Sequence, residues 1–145
     1  MTHPPAVERR TRAPYQYLAL AIGVIYLLIG MLGFFVTGFD GFAEHNEDET
    51  LLGFAVNPLH NIVHLIIGAL GLALWSTPAR ARLYGWLLAI GYGVVSIYGI
   101  VVAGNDDGNF LNINGADNIL HIVSTLAGLA IALWPDRRGT LDRRV

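Results

Sequence analysis

Residues 15 to 37 read YQYLALAIGVIYLLIGMLGFFVT, with no charged side chain from end to end. The hydrocarbon core of a bilayer is roughly 30 Å thick and takes about 20 apolar residues of helix to cross. Backbone amides in lipid must be satisfied within their own element, so a run of this kind becomes a helix. Three further segments meet or approach that length: about Pro58 to Trp75, about Leu83 to Ala103, and about Asn118 to Trp134. The second and fourth spans are a little short and carry polar residues at their leading ends. No segment alternates with the period of two that a membrane barrel needs. The first run is too long for a signal-peptide core and no small-residue cleavage site follows it. The expected fold is all-α: a four-transmembrane-helix bundle.

Composition agrees. The chain has 145 residues, 54% hydrophobic and 14% charged, where a soluble domain has about a quarter of its residues charged. Its mean hydropathy is +0.50. The absence of cysteine excludes disulfides, thiolate metal sites and thiol redox chemistry. All nine basic residues are arginine, which points to a GC-rich bacterial genome.

The charges orient the spans. Arg9, Arg10 and Arg12 precede the first, Arg80 and Arg82 lie in STPARAR between the second and third, and Arg137, Arg138, Arg143 and Arg144 follow the fourth. The positive-inside rule makes that side cytoplasmic. The other side holds Asp40, Glu44, Glu47, Asp48, Glu49, Asp106, Asp107 and Asp117. The expected topology is a multi-pass plasma-membrane protein, N-in and C-in. Residues 1–14 form a cytoplasmic tail expected to be disordered, 15–135 the membrane domain with outer loops 38–57 and 104–117, and 136–145 a second cytoplasmic tail. Trp75, Trp86 and Trp134 fall near the inner ends, where indoles favour the interface.

NPLHNIVHLIIGALGLAL from Asn57 aligns without gaps on NGADNILHIVSTLAGLAI from Asn114. Asn57 matches Asn114, His60 matches Asp117, Asn61 matches Asn118, His64 matches His121 and Gly71 matches Gly128. The preceding spans share LAIG, at Leu20–Gly23 and Leu88–Gly91. This predicts two copies of a helical hairpin in one orientation, a parallel repeat. The two motifs, NPLHNIVHLIIGALGL and NGADNILHIVSTLAGL, resemble paired elements of a bacterial family of small four-helix membrane proteins, the domain-of-unknown-function 4383 family. The likeness covers most of Tyr17 to Trp134, with Pro58, Ser124 and Thr125 departing from the family's apolar or small residues. The resemblance implies the topology and marks the motifs. It implies no chemistry.

Residues four apart share a helix face, so His60, His64, Gly68 and Gly71 form one stripe, and Asp117, His121, Ser124, Thr125 and Gly128 another. Polar and small residues in membrane helices face neighbouring helices. The two stripes are expected to meet, bringing His60, His64, Asp117 and His121 together below the outer surface.

Three functions compete for that cluster. The one needing least is structural: Asn57 and Asn114 cap their helices, with Pro58 at the first helical position and Asp117 completing a capping box. Asn61, Asn118 and the histidines then hydrogen-bond across the bundle of a non-enzymatic structural or interaction protein. The alternative is a metal site, since three imidazoles and a carboxylate suit zinc or another transition metal, with Asn61 and Asn118 supporting the ligands. Haem held by facing histidines, in an accessory to a membrane redox system, is a weaker variant. The third is proton or ion handling, but the first and third spans show no ionisable residue to continue a relay inward, their polar content including Tyr26 and Thr37 on the first and Tyr92, Ser96 and Tyr98 on the third.

Elsewhere, Gly23, Tyr26, Gly30 and Gly33 on the first span, and Gly85, Tyr92, Ser96 and Gly99 on the third, read as packing seams. The acidic stretch EHNEDE reads as a solvated loop, with metal delivery through His45 the sharper option, and LLGFAV as a cover along the interface or over the bundle mouth. GNDDGNFLNING lacks a calcium-loop pattern and reads as an ordinary turn. No catalytic residue is indicated: P-loop, dinucleotide, nucleophile-elbow and HExxH patterns are missing. Nor is there a nucleic-acid face. The lipid bilayer is the expected partner, and a homo-oligomer or membrane-protein partner is compatible with the sequence.

Overall fold

A computed structural model of the chain describes residues 11–102 and 108–135. The expectations for both far tails, for Arg9, Arg10 and the four C-terminal arginines, and for Asp106 and Asp107 lie outside the described residues. Four helices carry the fold: α1 Pro14–Thr37, α2 Pro58–Leu74, α3 Pro78–Val102 and α4 Gly115–Ala132. A two-residue β-hairpin, β1 Thr50–Leu51 with β2 Phe54–Ala55, interrupts the first long loop. Among the described residues, α1, α3 and α4 are long and apolar enough to cross a membrane; α2, at 17 residues, is shorter. At 1.5 Å per residue α2 still reaches about 25 Å. The outward faces of the bundle are apolar, with Ile25, Leu28, Leu32 and Phe35 exposed on α1 and Ile90, Val94, Ile97 and Val101 on α3.

Local chemistry sets the ends. Pro14 and Pro58 take the first-turn positions of α1 and α2, where a missing N–H costs nothing. Gln16 Oε1 accepts from Ala13 N at 3.0 Å. Helix α1 stops at Gly38, whose φ of +58° ends the helical path. Pro78 starts α3 five residues before the expected span, so PARAR forms the first turns of that helix and only Ser76 and Thr77 of STPARAR remain in the turn. Ala81 N already donates to Thr77 O at 2.9 Å. Arg80 and Arg82 therefore ride on a helix.

The helices pair as two hairpins, α1 with α2 and α3 with α4, and each pair packs more closely than the hairpins pack on each other. Backbone meets backbone at the seams: a Cβ on Gly23 would lie 2.9 Å from Gly71 Cα, and one on Gly128 would lie 2.6 Å from Ala89 N. The seam residues predicted on α1 and α3 are all buried.

The repeat holds in three dimensions, with one change of register. Gln16 Nε2 donates to Trp75 O at the foot of α2 (3.1 Å), and Arg82 Nη1 donates to Ala132 O at the foot of α4 (2.9 Å). Asn61 Oδ1 sits where a Cβ on Gly33 would go, and Asn118 Oδ1 does the same at Gly99. Gln16 thus corresponds to Arg82, Gly23 to Ala89, Tyr26 to Tyr92 and Gly33 to Gly99. The LAIG match is displaced from this register by two residues: Gly23 packs on Gly71, while a Cβ on Gly91 would meet nothing within 4 Å. Glycine recurs in the string, but the packing that needs it does not.

The two ends differ in charge. Arg12 lies over the Trp75 ring at 4.3 Å, and Arg82 over Tyr15 at 5.1 Å. Arg82 Nη2 also reaches Trp134 O at 2.6 Å, so its cation closes the negative end of α4. The loop that carries Asp40, Glu44, Glu47, Asp48 and Glu49, and Asp117 in the first turn of α4, lie at the opposite end.

Candidate metal centre

Asn57 fixes where α2 begins: its side chain accepts from His60 N at 2.8 Å. One turn on, His60 and His64 project into the bundle, with their ring centroids 4.4 Å apart. His121, at the matching position of α4, completes the group; its ring lies 5.9 Å from that of His60. One ligand nitrogen from each of the three rings lies within 4.8 Å of the others. The three residues are 3%, 2% and 1% exposed, in that order along the chain.

These rings are short of partners. Nδ1 of His60, both nitrogens of His64 and Nδ1 of His121 are buried with no hydrogen-bond partner among the described residues. Leaving a buried polar group unsatisfied costs about 1–3 kcal/mol. A neutral imidazole carries one N–H and one lone pair, so His64 has both functions unmet. Three convergent imidazoles are the donor set of an open zinc site.

The tyrosines were read as seam residues, and the structure places them in the site. The Tyr26 ring lies 5.0 Å from that of His64, the Tyr92 ring 5.2 Å from that of His121, and the two tyrosines lie 5.3 Å apart. Tyr26 Oη and Ser124 Oγ share a hydrogen bond of 2.5 Å, joining the two hairpins. The signal lay in the repeat: His64 maps to His121 as Tyr26 maps to Tyr92.

Asp117 is buried close by but is not part of the three-residue group. Its Oδ2 accepts from Asn114 N at 2.9 Å and Ala55 N at 3.0 Å. Asn114 Oδ1 in turn accepts from Ala116 N and Asp117 N, completing the predicted capping box. Asn61 Nδ2 donates to Thr37 Oγ1 at 3.0 Å. Asn61 and Asn114 therefore bind helix α1 and backbone, none of these bonds reaches an imidazole, and Oδ1 of Asn61 and of Asn118 is buried with no partner among the described residues.

A lid covers the acidic end of the site. LLGFAV forms the β-hairpin, with Leu52 and Gly53 at positive φ in its turn and Val56 fully buried. The caps cross-link the loops: Asn57 Nδ2 donates to Glu44 O and Phe110 O, and Asn114 Nδ2 to Gly53 O. The described part of the stretch expected to be an ordinary turn, from Gly108 onward, belongs to this lid. Asn112 Nδ2 donates to Asn46 O and Val56 O at 2.9 and 2.8 Å, and Asn109 bonds both the N–H and the carbonyl of Ile113. The missed cue is the density of asparagine in NFLNIN. His45 Nδ1 lies 2.7 Å from Asn112 Oδ1, so its ring belongs to the lid.

A cavity of about 130 Å³ lies against all three histidines and Tyr92. Its other walls are Val63 and Ile67 of α2, Leu87, Gly91 and Val95 of α3, and Leu111 of the lid.

No curated protein and no solved structure matches the chain. The family described as Domain of unknown function (DUF4383) matches residues 16–134, a stretch that takes in all but the first two residues of the four helices, both motifs and the three histidines, and the chain belongs to that family.

Proposed function

We propose that this chain is a multi-pass protein of the bacterial plasma membrane, both termini cytoplasmic, that holds one transition-metal ion between His60, His64 and His121. One observation carries the reading: three buried imidazoles converge within 4.8 Å while four of their nitrogens have no partner among the described residues. Metal–nitrogen bonds of about 2.0–2.1 Å in a tetrahedral site put the donors about 3.3 Å apart. Each ring then needs to move inward by about an ångström at most. The site lies within one chain and requires no second copy.

The structural alternative needs histidines bonded to separate partners across the bundle; His60 bonds only backbone of Ala55 and Leu111, and neither nitrogen of His64 has a partner among the described residues. Haem is disfavoured by size, since pockets for ligands of that order are about 300–1,000 Å³ and this cavity is about 130 Å³. A proton path is disfavoured because tyrosines, not readily ionised groups, adjoin the histidines on the inner side. Zinc is the simplest occupant, and other borderline divalent ions suit the same donors.

The test is elemental analysis of freshly purified protein in nanodiscs, followed by cobalt(II) titration with visible spectroscopy. We expect about one metal per chain and a tetrahedral cobalt band, both lost in His64→Ala with His121→Ala. Wild-type protein that carries no metal and takes up no zinc or cobalt would overturn the proposal.

A further inference from the structure

The cavity beside the three histidines has an unusual approach. Its walls come from facing stripes on helices of different hairpins: Val63 and Ile67 on α2, and Leu87, Gly91 and Val95 on α3. These two helices touch only sparingly. Gly91 lies near the middle of α3, its surface is exposed, and a Cβ built there would meet no atom within 4 Å. Leu87 is likewise exposed on the same stripe. The opening therefore faces sideways at mid-height of a membrane-length helix, not toward either charged end. The acidic end is closed by the lid, where Ala55, Val56, Asn109 and Asn112 are buried. At the inner end of the cleft stand imidazole nitrogens that are buried and unpartnered.

Three protein ligands leave a tetrahedral ion one position for an exogenous group. The three rings all line this cavity, so that position opens into it. Apart from the histidines and Tyr92, the named walls are hydrocarbon or glycine. A charged ligand reaching the ion by this route would lose its hydration with nothing to replace it. A small neutral molecule dissolved in the bilayer would lose almost nothing.

We infer that the cleft between α2 and α3 is a lateral entry from the bilayer, through which a small, neutral, lipid-soluble lone-pair donor reaches the open coordination position of the ion. The inference rests on the metal-site reading. Binding forms one donor–metal bond, displaces a water if one is bound there, and moves no charge across the cleft.

The experiment uses cobalt-loaded full-length protein in nanodiscs and two probes, N-butylimidazole as the neutral donor and azide as the charged one. Wild type is expected to show a shift of the cobalt band with N-butylimidazole at concentrations at least tenfold below those at which azide acts. Gly91→Leu, whose side chain fills the opening, is expected to bind cobalt as wild type does and to weaken the N-butylimidazole response at least tenfold. Normal cobalt uptake with no response to N-butylimidazole, an equal response to azide, or an unchanged response in Gly91→Leu would each overturn the lateral entry and leave the metal site standing. Failure of cobalt uptake in wild type would overturn both. A Gly91→Leu chain that did not take up cobalt would be replaced by Val95→Phe, which narrows the same opening from the next turn, with the same outcomes.

Discussion

Tyr26 and Tyr92 lie ring against ring across the bundle at 5.3 Å, and each also contacts one histidine of the buried group. The two tyrosines are equivalent positions of the repeat, as are their histidines. The histidine cluster proposed to hold metal is thus assembled where the two hairpins meet, and the odd member, His60, breaks the symmetry because its counterpart is Asp117. One copy supplies two imidazoles. The other supplies one imidazole and a carboxylate whose Oδ2 accepts from two backbone N–H groups while its Oδ1 is buried with no partner among the described residues.

Loss of any one of the three histidines should remove most of the metal affinity. Supporting-residue changes around metal sites cost about 10–100-fold, so losing a ligand should cost at least about 100-fold. Competition titrations with a chromophoric chelator on His60→Ala, His64→Ala and His121→Ala measure this directly. A variant retaining wild-type affinity would remove that residue from the set.

Asp117→Ala should separate capping from ligation. It strips the acceptor from Asn114 N and Ala55 N, with an expected cost of about 1–2 kcal/mol. Thermal unfolding in micelles should show the loss while metal stoichiometry stays near one. A chain that unfolds normally but has lost its metal would make Asp117 a ligand.

Metal should stabilise the fold. An ion that binds only the native state adds about 2.7 kcal/mol at a free concentration 100 times its Kd. The unfolding midpoint of metal-free protein should rise on adding zinc and fall again with chelator, and the His64→Ala, His121→Ala double variant should show no rise.

Gly23 and Gly91, identical in the LAIG strings, should respond oppositely to alanine. At Gly23 the new Cβ would press on the backbone of Gly71 and Leu72, an overpacking worth about 1–3 kcal/mol. At Gly91 it would meet open space, and replacing a mid-helix glycine should stabilise by up to about 1 kcal/mol. Unfolding midpoints of the two variants decide between this register and the one implied by LAIG.

Asn112→Ala should loosen the lid. It leaves the carbonyls of Asn46 and Val56 without their donor, a penalty of about 1–3 kcal/mol for each group that stays buried. Hydrogen exchange of residues 45–56 should accelerate, while the helices stay protected. Unchanged exchange there would place the lid's stability elsewhere.

Much of this protein was readable from its residues alone. Apolar runs of membrane length become helices because lipid offers backbone amides no other partner. Asn57 and Asn114 cap because each carries an acceptor at the point where the first N–H groups are free. Both are local rules, and so is the repeat of α2 in α4. Three features depended on how the helices meet. The true register of α1 on α3 follows from which positions touch α2 and α4, and shared letters in LAIG do not carry that information. One oxygen of Asp117, Oδ2, reached Ala55 because a loop from the other hairpin brought an N–H to it. Tyr26 and Tyr92 joined the histidines because four helices crossed at one height. Sequence by itself determined the elements and their caps, where the physics lies within one turn of chain. Tertiary structure decided which polar groups found partners and which were left facing one another, since that depends on residues brought together from separate helices.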